Sequence, residues 1–276
     1  MNMPRESVHV YTPAPDTLHQ YLIKVWRHRE LIRTFAERDL RTRYAQTYLG
    51  FGWALVQPLT ALAIFTFFFG FILSWQGDGM PYPLHVLSGL LIWNFFTYVV
   101  FQGSQSIQES GQLIRKIYFP KAVLPLSKVL TGLVELGIST LLLIPLMLWY
   151  GEAPSWRLLL FPAVVLLTAT LALALVFLVT ALAFRRRDLH HIIPFLMYFG
   201  IWTAPVFFTK DLLPAEYQFL WALNPVAATV EAWRFVIFPA HGFEPRFLPA
   251  LLASLPLCLT GLFIFVRQEG RFSDYT

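Results

Sequence analysis

The chain has 276 residues, 57% of them hydrophobic and only 13% charged, with a formal net charge of +5. Soluble domains average about 25% charged residues. A mean hydropathy of +0.57 and 26 Phe therefore exclude both an ordinary soluble globule and a disordered chain, and the single cysteine, Cys258, excludes an internal disulfide framework.

Residues 1–26 read as a loosely structured cytoplasmic lead-in. Arg5, Asp16 and Lys24, with Pro4, Pro13 and Pro15, leave no apolar core for a signal peptide. Residues 27–49 place Leu31, Phe35, Leu40, Tyr44 and Tyr48 near helical spacing among Arg33, Glu37, Arg38 and Arg41. This predicts an amphipathic interface helix on the cytoplasmic membrane surface, with Gly50 and Gly52 as the elbow into the bilayer. On charge pattern alone, a simple anchor and a specific functional element both remain open.

Charge-poor stretches then predict six transmembrane helices, over roughly 51–75, 84–104, 122–149, 158–184, 190–209 and 248–266. Each approaches the ~20 apolar residues that a span requires. The runs are continuously apolar and lack the period-two alternation of a barrel. The predicted fold is an all-α integral membrane protein, with a transmembrane domain over 50–267 and a tail over 268–276. Of the 21 Lys and Arg, only Arg157, Lys210, Arg234 and Arg246 fall on one side of this topology. The basic side holds both termini and is cytoplasmic by the positive-inside rule. Topology thus accounts for the basic charge, and no nucleic-acid partner is implied.

Two connections stand out. Gln112–Pro125 brackets Arg115, Lys116, Ile117, Tyr118 and Phe119 between spans two and three, with Pro120 following. A cytoplasmic protein partner and an interfacial aromatic belt explain this cluster equally well. Asp211–Gly242, between spans five and six, is too polar to span yet rich in Leu, Trp and Phe. Asn224-Pro225 is a helix start, with Asn as cap and Pro at the first position. Two short helices are predicted there, re-entrant or lying in the outer interface, and Pro205 is expected to kink span five.

The chain lacks a phosphate loop of the form G-x-x-x-x-G-K-[ST], so no nucleotide hydrolysis is expected of it. His190-His191 point about 100° apart on a helix and make a poor metal pair. No catalytic, cofactor-binding or metal-ligating residue is assigned. Glu135 is the one carboxylate deep in a span. Its cost against lipid requires that it face protein or water, in either a structural or a transport role.

The ordered set Arg38-Asp39-Leu40, Tyr44, Thr47, Leu49-Gly50, Trp53 and Gln57-Pro58, then Arg115–Pro120, Arg187-Asp188, and Asn224-Pro225 before Arg234 resembles the polysaccharide-export ABC permeases. These are type-2 ABC membrane subunits that export O-antigen, teichoic acid or capsular polysaccharide. The resemblance covers about Leu31 to Val266; the run Arg185-Arg186-Arg187 is more basic than the family's lone Arg-Asp.

The resemblance implies a homodimer in the bacterial inner membrane, working with two copies of a separate ATPase that binds the ATP, and an undecaprenyl-linked glycan substrate. It implies coupling to the ATPase through Arg115, Lys116, Ile117, Tyr118, Phe119 and Pro120, with Arg38 and Asp39 on the interface helix. It implies a glycan path lined by spans one and five, which offer Trp53, Phe65, Phe67, Phe68, Tyr198, Phe199, Trp202 and Phe207. Aromatic faces suit sugar C–H faces, although each such residue also suits packing or lipid contact. The rival readings are a permease for a drug or small lipid and a membrane enzyme acting on lipid-linked sugars.

Overall fold

The computed structural model describes residues 17–75, 79–183, 189–209 and 214–269. All regular structure among these residues is helical. The first helix, α1 (Leu18–Arg27), lies within the segment expected to be a loose lead-in. A capping box starts it: Thr17 Oγ1 accepts from the Gln20 amide, and Gln20 Oε1 accepts from the Thr17 amide. Its Tyr21 and Val25 are buried, which the expectation had not foreseen. After a break at His28, α2 (Arg29–Tyr44) is helical within the 27–49 segment expected to form the interface helix, and ends before residue 49. Gly50 then takes φ +50°, a left-handed conformation that glycine adopts without Cβ strain. A 3-10 turn, Gly50–Gly52, delivers the chain into the first span as predicted.

Among the described residues, five helical segments are long and apolar enough to cross a membrane: Gly50–Ile72, Tyr82–Glu109, Val123–Tyr150, Trp156–Leu182 and Pro245–Gln268. The first comprises α3 (Trp53–Phe65) and a π-helical stretch, Thr66–Ile72. The second, α4 (Tyr82–Glu109), is the most buried and packs against the first, third and fourth spans. The third is split into α6 (Val123–Thr140) and α7 (Leu143–Tyr150), after the short α5 (Gly111–Lys116). Pro145 explains the split: it cannot donate to the Leu141 carbonyl four residues back, and the Ile144 amide takes that carbonyl in a 3-10 turn at 3.3 Å. The fourth is α8 (Phe161–Ala183), along which the last span packs.

The predicted fifth span is shorter than expected. It is realised as α9 (Leu189–Gly200) and a 3-10 turn, Ile201–Thr203. At 1.5 and 2.0 Å per residue this rises about 24 Å, against about 30 Å of hydrocarbon core. Pro205 terminates the helix where a kink was expected, because the residue before a proline is pushed out of the helical region. Ala204 is accordingly extended, at φ −119° and ψ 146°.

Beyond it come α10 (Phe219–Leu223) and α11 (Pro225–Ile237), the two short helices predicted. Asn224 Oδ1 caps α11 by accepting from the Val226 amide at 2.9 Å. The last span joins α12 (Leu248–Leu252) to α13 (Ser254–Gln268). A large apolar core runs through α4, α8 and α11, and a smaller one joins α1, α2, Phe119 and α13. Arg185–Asp188, Asp211, the first 16 residues and 270–276 lie outside the described residues, as do the side chains of His190 and His191.

Candidate functional site

The segment expected to couple to a partner comprises the end of α5 and the strand-like residues after it. Ile117 is extended, at φ −133° and ψ 132°. Ile117 and Tyr118 are 56% and 84% exposed, whereas Phe119 is 4% exposed and Pro120 is buried. Phe119 instead packs on Phe35 of α2, ring centroids 6.0 Å apart. The expected coupling cluster therefore divides into an outward pair and an inward anchor. Arg115 and Lys116 are exposed beside the outward pair.

Two further contacts tie this segment down. The Ala122 amide donates to Tyr21 Oη at 3.2 Å, and Lys121 binds Glu269 at the end of the last span through its amide and Nζ, both at 2.7 Å. Burial, then the nearby Glu269 carboxylate, raises the Tyr21 hydroxyl well above the usual tyrosine range, so it stays protonated.

Two ion pairs join α2 to α6. Asp39 Oδ2 lies 2.6 Å from Lys128 Nζ, and Arg43 Nε lies 3.2 Å from Glu135 Oε1. Tyr44 Oη also donates to Glu135 Oε1, at 2.9 Å. Glu135 thus faces protein, as its cost against lipid requires. Arg38 reaches Asp39 at 3.1 Å and lies over the Phe35 ring at 5.0 Å. The expected Arg38-Asp39 coupling residues are thereby held against the protein body, Asp39 most firmly.

A cavity of about 540 Å³ opens between α3, α4, α6 and α9. Gln57, Asn94, Tyr98, Glu135 and Tyr198 contribute its polar and aromatic wall. Spans one and five do border a cavity together, yet of the eight residues expected along the path only Tyr198 lines it. Trp53, Phe67, Phe68, Phe199 and Trp202 are each about half exposed on the outer faces of their helices. Phe207 is wholly buried and stacks on the partly buried Phe65 at 4.6 Å, so this pair belongs to the core here. Gln57 belongs to the Gln57-Pro58 motif of the first span, which by itself implies no role. Asn94 and Tyr98 carried no signal, since single polar residues in a span do not announce a cavity.

Beyond the 3-10 turn, residues 204–208 are irregular, and side chains from elsewhere pair the carbonyls of residues 203 and 206–208. Asn224 Nδ2 donates to Thr203 O at 2.8 Å, and the Arg234 guanidinium to Val206 O at 2.9 Å. Tyr82 Oη donates to Phe207 O at 2.8 Å, and His85 Nε2 lies 3.2 Å from Phe208 O. Irregular backbone at membrane depth persists only when protein satisfies it in this way. Arg234, fully buried, also pairs with Glu231 at 3.1 Å, and Glu231 meets His241 at 3.0 Å.

Residues 30–238 match the family described as ABC-2 type transporter. The chain belongs to that family. This ABC-2 family member is 29% identical over 254 residues to the O-antigen export system permease protein RfbA of Myxococcus xanthus, covering 91% of this chain and 97% of the relative. A protein of the same name from Klebsiella pneumoniae is 24% identical over 252 residues, 89% of this chain and 94% of the relative. The polysialic acid transport protein KpsM of Escherichia coli is 23% identical over 240 residues, 84% and 91% of the two chains.

Proposed function

We propose that this chain is the permease subunit of an ATP-driven exporter that moves a lipid-linked, O-antigen-like polysaccharide across the bacterial inner membrane. The observation that carries this reading is the cavity between the first span and α9. It combines hydrogen-bonding groups with aromatic faces, as a carbohydrate site needs, and it lies next to helices tied to the cytoplasmic coupling surface. The names of the relatives, O-antigen export and polysialic acid transport, support the same substrate class. The aromatic but polar wall favours a glycan over an apolar drug. The lone carboxylate, held by Arg43 and Tyr44, does not make the acid–base pair that a sugar-processing enzyme needs.

In this reading two copies of the chain assemble with two copies of a separate ABC ATPase, and α9 completes a six-pass topology with both termini cytoplasmic. Helices α10 and α11 form a re-entrant pair. ATP binds only to the partner, and its energy enters through the different affinities of two permease conformations for the closed ATPase. Ile117, Tyr118, Arg115 and Lys116 form the coupling contact, and the half-exposed aromatics of α3 and α9 face the second copy and the undecaprenyl-linked chain.

The test is deletion of this chain in its host. Surface polysaccharide should disappear while its lipid-linked form accumulates on the cytoplasmic side, and expression of this chain should reverse both. Unchanged surface polysaccharide would overturn the assignment.

A further inference from the structure

The cavity beside α9 carries only two charged groups among the described residues, Arg43 and Glu135, and they face each other at 3.2 Å. A second cavity, of about 710 Å³, adjoins it toward the cytoplasm and shares Arg43, Tyr98 and Phe101 with it. Its further charged groups are Arg38 and Lys128 on one side and Asp39 and Glu109 on the other. Arg38 and Lys128 both engage Asp39. The two cavities together are thus lined by three cations and three carboxylates. That balance is not inherited from the chain, whose net charge is +5 and whose cytoplasmic side is strongly basic. Two adjoining cavities in a basic protein are thus lined by balanced charge.

Neutrality has a consequence for what can sit there. A sugar hydroxyl needs a donor and an acceptor nearby, which the Gln57 and Asn94 amides and the Tyr198 hydroxyl can supply. A sugar carboxylate entering the same space loses water and finds its only cation already committed to Glu135. An anion so placed without a counter-charge is strongly disfavoured. The cavity volume falls within the roughly 300–1,000 Å³ typical of small-molecule sites.

We propose that the cavity bounded by α3, α4, α6 and α9 is a subsite for an uncharged, hydroxyl-rich sugar unit, and that the Arg43–Glu135 pair makes it reject acidic sugars. This rests on the exporter reading and narrows its substrate class. Glu135 then acts as a specificity residue: it cancels Arg43, which would otherwise attract anionic glycans. Tyr44 fixes the carboxylate by donating to the same Oε1 that Arg43 approaches.

The experiment places a cysteine at the cavity wall, Ala61→Cys, in a chain whose only natural cysteine is removed by Cys258→Ala. The full chain, in lipid nanodiscs, is labelled with a hydrophilic maleimide in the presence of maltotetraose or trisialic acid at tens of millimolar. Maltotetraose should slow labelling at least threefold, and trisialic acid should leave it unchanged. Adding Glu135→Gln frees Arg43, and trisialic acid should then protect as well as maltotetraose does. Protection by neither probe, equal protection by both, or no change on Glu135→Gln overturns the proposal. If Glu135→Gln alone does not fold, the neutral double variant Arg43→Gln/Glu135→Gln decides; it must keep the preference for maltotetraose, and losing that preference overturns the proposal. Surface polysaccharide that depends on this chain, with no sugar selectivity in the labelling, would sink the subsite and leave the exporter reading standing.

Discussion

Ser139 Oγ donates to the Ala54 carbonyl at 2.9 Å, joining α6 to the first span. The carbonyl is free to accept because Pro58, four residues on, has no amide hydrogen to offer it. A proline inside a membrane helix is tolerated when a neighbouring side chain satisfies the backbone group it releases.

Ser139→Ala should therefore destabilise the protein by about 0.6–2 kcal/mol, the range measured for hydrogen bonds between membrane helices. Pro58→Ala restores the backbone donor, so Ser139→Ala should cost measurably less in that background. Unfolding of the four proteins in a denaturing detergent series forms the double-mutant cycle. Equal costs in both backgrounds would show that the serine is not compensating the proline.

The link between Asp39 and Lys128 supports a second prediction. Their side chains are 14% and 10% exposed and approach to 2.6 Å. Asp39→Asn or Lys128→Met should each cost roughly 1.5–3 kcal/mol, as for hydrogen bonds to charged groups. Reversing the pair, Asp39→Lys with Lys128→Asp, should recover much of what either single reversal loses. Thermal unfolding of the purified permease reads stability, and export by cells reads function. Additive losses in the reversed pair would mean that the two charges do not act together.

How much of this architecture the sequence announces depends on the reach of each determinant. Spans one to four and six follow from local runs of apolar residues, and the helix after Asn224 follows from its cap and Pro225. The end of the fifth helix does not, because Pro205 reads equally as a kink or a stop. The choice is made by Tyr82, His85, Asn224 and Arg234, which pair the carbonyls beyond it from other segments. Glu135 was predictable as a group needing a partner, but its partners Arg43 and Tyr44 come from a helix about ninety residues away. Thr17 and Gln20 carry the three-residue spacing of the capping box that starts α1, a purely local determinant. Ile117-Tyr118-Phe119 has no periodicity, so composition alone could not separate its exposed members from its buried one.

Arg234 should prove a structural clamp whose charge alone is insufficient. Its guanidinium donates to the carbonyls of His85 and Val206 at 3.0 and 2.9 Å and to Glu231 at 3.1 Å. A lysine cannot reproduce that fork. Arg234→Ala leaves the buried Val206 carbonyl short of a donor, at about 1–3 kcal/mol, whereas the His85 carbonyl keeps the Ser88 hydroxyl; Arg234→Lys should rescue little of the loss. Gly89 lies in the same clamp: a Cβ there would sit 2.9 Å from the guanidinium and closer still to the Val206 carbonyl. Gly89→Ala should therefore loosen residues 203–208 as Arg234→Ala does. Proteolysis or hydrogen exchange of that segment measures it, and full protection in Arg234→Ala would refute the clamp.

Tyr118 and Phe119 are neighbours with opposite surroundings, and their variants should fail differently. Phe119 is buried against Phe35, between α2 and the spans. Phe119→Ala should cost about 3–5 kcal/mol, as large-to-small changes of buried aromatics do, and lower the yield of folded protein. Tyr118 is 84% exposed, and exposed substitutions usually stay within about 0.5 kcal/mol. Tyr118→Ala should then preserve expression while separating ATP hydrolysis by the partner from export. Tyr118→Cys, with Cys258→Ala, should crosslink to the ATPase in the assembled complex. A cysteine at that position reacting only with lipid-phase probes, in both the free permease and the complex, would place Tyr118 in the headgroup layer and remove it from the coupling contact. Loss of expression in Tyr118→Ala would point the same way, since an interfacial anchor acts on insertion and stability, whereas a docking residue acts only when the ATPase is present.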